Sequence, residues 1–161
     1  MATLSVPRRF RYQQGAAAIE FGLLFILFFV LFYAIVAYSL AMLLMQGLTQ
    51  AAEEGVRAAI AVDPLAFPSD AAYESSMETT ARNRAADALA WLPAKALQQV
   101  VAGNNIVVDV AGTGAAAKVV TVTVTYPNYA TNGLVPTLSL PLIGAVPRVP
   151  TNLVGAASLK I

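Results

Sequence analysis

A chain of 161 residues, 58% of them hydrophobic and 12% charged, has room for one domain and a short appendage. Its composition departs from the roughly 45–50% apolar and about 25% charged residues of an average soluble domain. With 10 Lys and Arg against 9 Asp and Glu, the net charge of +1 excludes the large basic surface that a nucleic-acid partner calls for. Cys and His are both absent, so disulfides, thiolate or imidazole metal sites, Cys nucleophiles and Ser-His pairs are excluded. No cofactor or metal is expected.

The chain begins with a basic stretch, Arg8, Arg9 and Arg11, that ends at Gly15. From Phe21 to Met45 no residue is charged. At about 1.5 Å per residue this run is roughly 37 Å long as a helix, enough to cross a hydrocarbon core of about 30 Å with some tilt. It is also much longer than the apolar region of a cleaved secretory signal, which is about 7–15 residues. The three arginines precede the run, while Glu53 and Glu54 outnumber Arg57 just after it. The expected orientation is therefore N-terminus in the cytoplasm and C-terminus outside.

Beyond the run the helical pattern continues, but striped. Gly47, Ala51, Gly55 and Ala59 fall four apart on one face, where small side chains let a second helix backbone approach closely. Two glycines in a helix interior each cost about 1 kcal/mol relative to alanine, a cost that helix–helix contact would offset. Glu53 and Arg57 on the polar side form an i,i+4 pair in the favourable order. Asp63-Pro64 and Phe67-Pro68 end the helix.

Ser69 is an expected N-cap for a second, amphipathic helix running to Trp91 or Leu92 and stopped by Pro93. Tyr73, Met77, Ala81, Ala85, Ala88 and Leu92 line its apolar face, and Glu74, Glu78 and Arg82 line another. Met77 and Trp91 could be taken for a ligand box, but an apolar stripe at helical spacing is far more often a core face.

The last third changes to strand periodicity. Ile106 to Val110 reads as a short strand. In the stretch from Val119 to Tyr126, the residues Val120, Val122, Val124 and Tyr126 alternate with Thr121, Thr123 and Thr125. Gly112-Thr113-Gly114 reads as the loop of an antiparallel hairpin. It is no phosphate cradle, because Val119 follows Lys118 where a P-loop needs Ser or Thr. The prolines at 127, 136, 141, 147 and 150 predict an irregular loop. Thr151 to Ile161 reads as a third strand, with Leu153, Leu159 and Ile161 turned toward the helix. The expected fold class is α+β, with a long N-terminal transmembrane helix, a second amphipathic helix and a small antiparallel sheet of about three strands. Its expected divisions are a leader at 1–15, the transmembrane and extended helix at 16–62, and an extracytoplasmic domain at 63–161.

The basic leader, Gly15, four small or apolar residues, Glu20, the aromatic Phe21 and the long apolar run together resemble the processing site of type IV pilins. "Gly15-Ala-Ala-Ala-Ile-Glu20-Phe21" followed by "Ala51-Ala-Glu-Glu-Gly-Val-Arg57-Ala-Ala" resembles the TadE-like proteins of the tight-adherence (Tad) pilus apparatus. That family typically has Gly-Ala-Arg in the second segment, and Val56 replaces the middle alanine here. The resemblance covers about residues 8–60. It implies a minor pilin or pseudopilin that acts in pilus biogenesis and adhesion at the bacterial inner membrane, as a single-pass protein with no enzymatic activity of its own. Implied partners are a prepilin peptidase, other pilin-like subunits, Tad inner-membrane assembly proteins and the lipid bilayer, with no nucleic acid among them. It also implies cleavage between Gly15 and Ala16 by the partner's catalytic carboxylates, with Glu20 then meeting a neighbouring subunit's amino group. The chemistry of the residues is compatible with this. Gly15 permits backbone conformations closed to other residues, and an acid at the mouth of a span needs a partner or a proton. The alternative function is a permanently anchored envelope protein with a small periplasmic binding domain, and a membrane-anchored enzyme comes third.

Overall fold

A computed structural model describes residues 13–112, 118–140 and 144–161. Helix α1 spans Gln13–Ile60, and the structure divides within it into two units, Met1–Val36 and Ala37–Ile161. In the first unit none of the residues from Gly15 to Val36 is buried, as expected of an apolar segment whose surroundings are lipid or other chains rather than its own fold. Its phenylalanines stack at i,i+4 spacing, Phe21 on Phe25 at 6.1 Å, Phe25 on Phe29 at 6.4 Å and Phe28 on Phe32 at 6.3 Å between ring centroids.

In the second unit the same helix becomes a core element. Ala37, Ala41, Leu44, Leu48, Ala51, Ala52, Val56 and Ala59 are buried at spacings of three and four, with Ala51 and Ala52 side by side, the stripe of a helix with one covered face. After a short 3-10 turn, Pro64–Ala66, capped by the Asp63 carboxylate on the Leu65 N–H at 2.9 Å, helix α2 runs Asp70–Ala88. Ser69 caps it as expected, its hydroxyl accepting from the Ala72 N–H at 3.3 Å, and its buried residues are Met77, Ala81 and Ala85.

The sequence expectation overran the end of α2. The helix stops at Ala88 rather than at Trp91 or Leu92, because Pro93 has no N–H and its ring would strike the carbonyl of Leu89 in a continued helix. The chain closes instead through Leu92 N–H donating to the Leu89 carbonyl at 2.9 Å. Pro93 then starts α3, Ala94–Val101, a helix that the sequence reading missed. Its buried Ala96 and Val100 extend the core beyond Leu89 and Leu92, both of which are also buried.

Strands β1, Ile106–Ala111, and β2, Val119–Tyr126, pair antiparallel with Val108 opposite Val122. Residues 113–114 of the expected hairpin loop lie outside the described residues. On β2, Val120, Val122, Val124 and Tyr126 are buried and the intervening threonines half-exposed, matching the period of two. After β2 come a single turn of helix, α4, Tyr129–Asn132, and a two-stranded ribbon of β3, Leu138–Leu140, and β4, Gly144–Val146. The proline-rich segment is thus not wholly irregular. Pro136 and Pro147 flank these three-residue strands rather than interrupt them, so no ladder hydrogen bond is lost to either.

Strand β5, Leu153–Lys160, pairs antiparallel with β2 and completes a sheet of order β1-β2-β5. Leu153 is buried as expected, but Leu159 and Ile161 are 43% and 41% exposed. The strand meets the α1 backbone at Gly155. Leu159 lies four residues on, about 13 Å away, beyond the reach of a helix about 10–12 Å in diameter. The core is one cluster formed by one face of this sheet, the 37–60 part of α1, α2 and α3.

Candidate functional site

Gly15, Ala16, Glu20 and Phe21 are all exposed at the start of α1. A methyl group placed on Gly15 would meet nothing within 4 Å, so packing does not account for the glycine there. Arg8, Arg9 and Arg11 lie outside the described residues. Four residues along the helix, Glu20 sits one turn past Ala16 on the same face.

The small-residue stripe serves a contact inside this chain. Ala51 and Ala59 are fully buried and Gly55 is buried with them. A methyl group on Gly55 would lie 3.0 Å from the Ala81 carbonyl oxygen of α2, 3.3 Å from the Ala85 Cβ and 3.3 Å from a Val122 methyl of β2. The close helix–helix approach that the spacing predicts is therefore made with this chain's own α2, and Gly55→Leu would disturb the domain itself before any contact between subunits. Gly47 receives the edge of the Trp91 indole, while Met77 is fully buried in the core. The two do not form a ligand box.

Glu53 and Arg57 approach at 3.9 Å with side chains 53% and 71% exposed, a contact worth little in water. A second pair escaped sequence reading because its partners are far apart in the chain. Arg84 of α2 donates to Glu54 of α1 at 3.2 Å, tying the two helices together. Lys118, just before β2, donates to Glu74 of α2 at 2.8 Å and lies 3.8 Å from Asp70 and 5.6 Å from the Tyr73 ring centroid. The hydrogen bond to Glu74 raises its pKa above the ordinary lysine value, Asp70 adding to the effect against desolvation. The i,i+4 spacing of Asp70 and Glu74 was visible in the sequence; the lysine that faces them was not.

Tyr126 donates to the Asn132 carbonyl at 2.8 Å and meets Tyr129 edge-on at 5.7 Å. Burial, with Tyr129 beside it, raises its pKa above the ordinary tyrosine value. Beside this pair is a cavity of about 230 Å³, lined in part by Lys95, Gln99, Tyr126 and Leu134, smaller than the roughly 300–1,000 Å³ of ordinary ligand pockets. Among the described residues no group of three or more Asp and Glu is placed to hold a metal ion.

Among the described residues, Gly15–Ile60 is a helix long and apolar enough to cross a membrane, which fits a single-pass membrane protein. No curated protein and no solved structure matches the chain. The model of the family described as TadE-like protein does match, over residues 15–57, the same family that the motifs resemble, and the match suggests a Tad pilus-related protein with an N-terminal apolar helix.

Proposed function

We propose that this chain is a minor pilin or pseudopilin of a Tad pilus, cut by a prepilin peptidase between Gly15 and Ala16 and assembled through its N-terminal helix. The observation that carries the reading is the coincidence of Gly15, Ala16 and Glu20 on the exposed start of α1, at the head of the segment that matches the TadE-like family. After cleavage Glu20 is the fifth residue, and its carboxylate pairs with the new amine of a neighbouring subunit. Pairing offsets part of the cost of holding both charges away from water.

The apolar part of α1 supplies the contact with other subunits. Its small-residue face from Ala51 to Ala59 is filled by α2 and the sheet, whereas the Phe21, Phe25 and Phe29 ladder is open. The domain after the span lies outside the cytoplasm, and the chain acts by binding rather than by catalysis.

Mass spectrometry of the protein isolated from membranes that contain a prepilin peptidase should find Ala16 at the N-terminus. Retention of residues 1–15 on most molecules would refute processing and favour a permanent anchor. Glu20→Gln keeps the shape and hydrogen bonding but removes the charge. It should be cut normally yet fail to support pili, and wild-type pilus numbers would refute the charge pairing.

A further inference from the structure

The charge-free run ends at Met45, but the domain begins to cover α1 eight residues earlier, at the fully buried Ala37. Next to it, the backbone N–H of Arg148 donates to the Tyr38 hydroxyl at 3.0 Å. This fixes the height of Arg148 along α1. The guanidinium is folded against Gly144 at the end of the ribbon. A Cβ there would come within 2.9 Å of Nη2, so the lack of a side chain makes room for it. Arg148 and Ala145 are both exposed.

A bilayer core of about 30 Å takes up about 20 helical residues. If its inner boundary lies beside Glu20, the outer boundary falls at about Leu40, roughly half a turn beyond Tyr38. Were the whole run to Met45 immersed, Arg148 would sit about 10 Å inside the hydrocarbon, where charge is costly. Tyrosine favours the membrane–water interface, and arginine offers a planar fork of donors that matches a phosphate.

We propose that the outer hydrocarbon boundary lies at Tyr38 and that Arg148 binds the phosphate of an outer-leaflet phospholipid, seating the β3–β4 ribbon on the membrane. The inference rests on the membrane-spanning reading of α1. Residues 39–45 then stand at or above the headgroups, and the domain is held against the bilayer rather than suspended from a free length of helix.

Because the chain has no cysteine, single nitroxide labels can be placed without ambiguity. The full-length protein is reconstituted in phosphatidylglycerol nanodiscs with one label at Leu27→Cys, Ala145→Cys or Leu65→Cys, and collision with oxygen and with a nickel chelate is measured for each. Position 27 should be deep and oxygen-rich, 65 aqueous, and 145 at the boundary, with nickel accessibility severalfold below that at 65. Adding Arg148→Glu should raise nickel accessibility at 145 toward that at 65, and Arg148→Lys should largely keep it low. A label at 145 as accessible as the one at 65, with 27 still deep, would overturn the boundary. Unchanged depth at 145 in Arg148→Glu would overturn the phosphate contact. An aqueous label at 27 would overturn the span itself, and this inference with it.

Discussion

Gly155 is the point at which the sheet touches the long helix, and adding a single methyl group there tests how rigidly the two are joined. A Cβ on Gly155 would collide with the carbonyl carbon and oxygen of Leu48 and with the amide nitrogen of Thr49. All three are backbone atoms of a regular helix, so no side-chain rotation relieves the clash. The strand is equally constrained, since β5 is paired to β2 on both sides of this residue, with Gly155 opposite Val124. Gly155→Ala therefore requires the helix and sheet to separate. Leu48, Ala51, Ala52, Val122 and Val124, all fully buried, would lose contact with one another, and dispersion falls steeply over such a gap. Overpacking of this kind costs about 1–3 kcal/mol and occasionally more; with backbone on the opposing side, the upper end, about 3 kcal/mol, is expected. For a domain of this size roughly 3–5 °C of melting temperature accompanies each kcal/mol, so the midpoint should fall by about 9–15 °C. The assay is near-ultraviolet circular dichroism of the full chain in detergent, which reads the packing of Trp91, Tyr126 and Tyr129. Gly22→Ala is the control, since a methyl group there meets nothing within 4 Å. A Gly155→Ala midpoint within about 2 °C of the wild type would refute the claim that the close approach fixes the helix on the sheet.

At Gly55 the same operation should separate by size. Gly55→Ala places a methyl at 3.0–3.3 Å from three neighbours, and the strain is offset by about 1 kcal/mol of helix propensity, so its melting temperature should stay near that of the wild type. Gly55→Leu should lower domain stability by about 3 kcal/mol or more while membrane insertion persists, read as protease sensitivity of the membrane-bound protein; a protease-resistant Leu variant would return the stripe to intersubunit packing. Two groups have raised pKa values that should weaken the fold at alkaline pH, Lys118 through Glu74 and Tyr126 through burial. Each contributes stability below its unfolded pKa, near 10.5 and 10.0, that is lost as pH rises through the higher folded value. Melting temperature should thus hold at pH 8–9 and fall above about pH 10. Tyr126→Phe should flatten part of that fall, and an unchanged alkaline profile in Tyr126→Phe with Lys118→Met would refute the assignment.

What could be read from the sequence was local and periodic. The charge-free run, the Ser69 cap, the alternation on β2 and the i,i+4 pair of Glu53 and Arg57 depend on residues within a turn or two of one another, so composition and spacing suffice to find them. The same holds for the spacing of Gly15 and Glu20, which the fold leaves exposed. The tertiary structure decided which of two compatible partners each surface takes. Spacing marked Gly47 to Ala59 as a face for close packing, but a small residue does not specify whether the approaching backbone comes from α2 of the same chain or from another subunit. At Gly55 the backbone that comes close is that of α2 in the same chain. The backbone of Leu48 and Thr49 that packs against Gly155 is about a hundred residues away in the chain, so spacing carries no sign of it. Lys118 and Arg84 stand 44 and 30 residues from the acids they meet. The short ribbon and α3 went unread because their few residues carry too little periodicity to declare an element, and they are held by packing on a core assembled from the whole domain. Tertiary structure likewise set how far the domain reaches down α1. A run of apolar side chains looks the same whether lipid or protein covers it, and Ala37, Ala41 and Leu44 are buried along the part of α1 to which chain 110 residues away returns, as the bond from Arg148 to Tyr38 records.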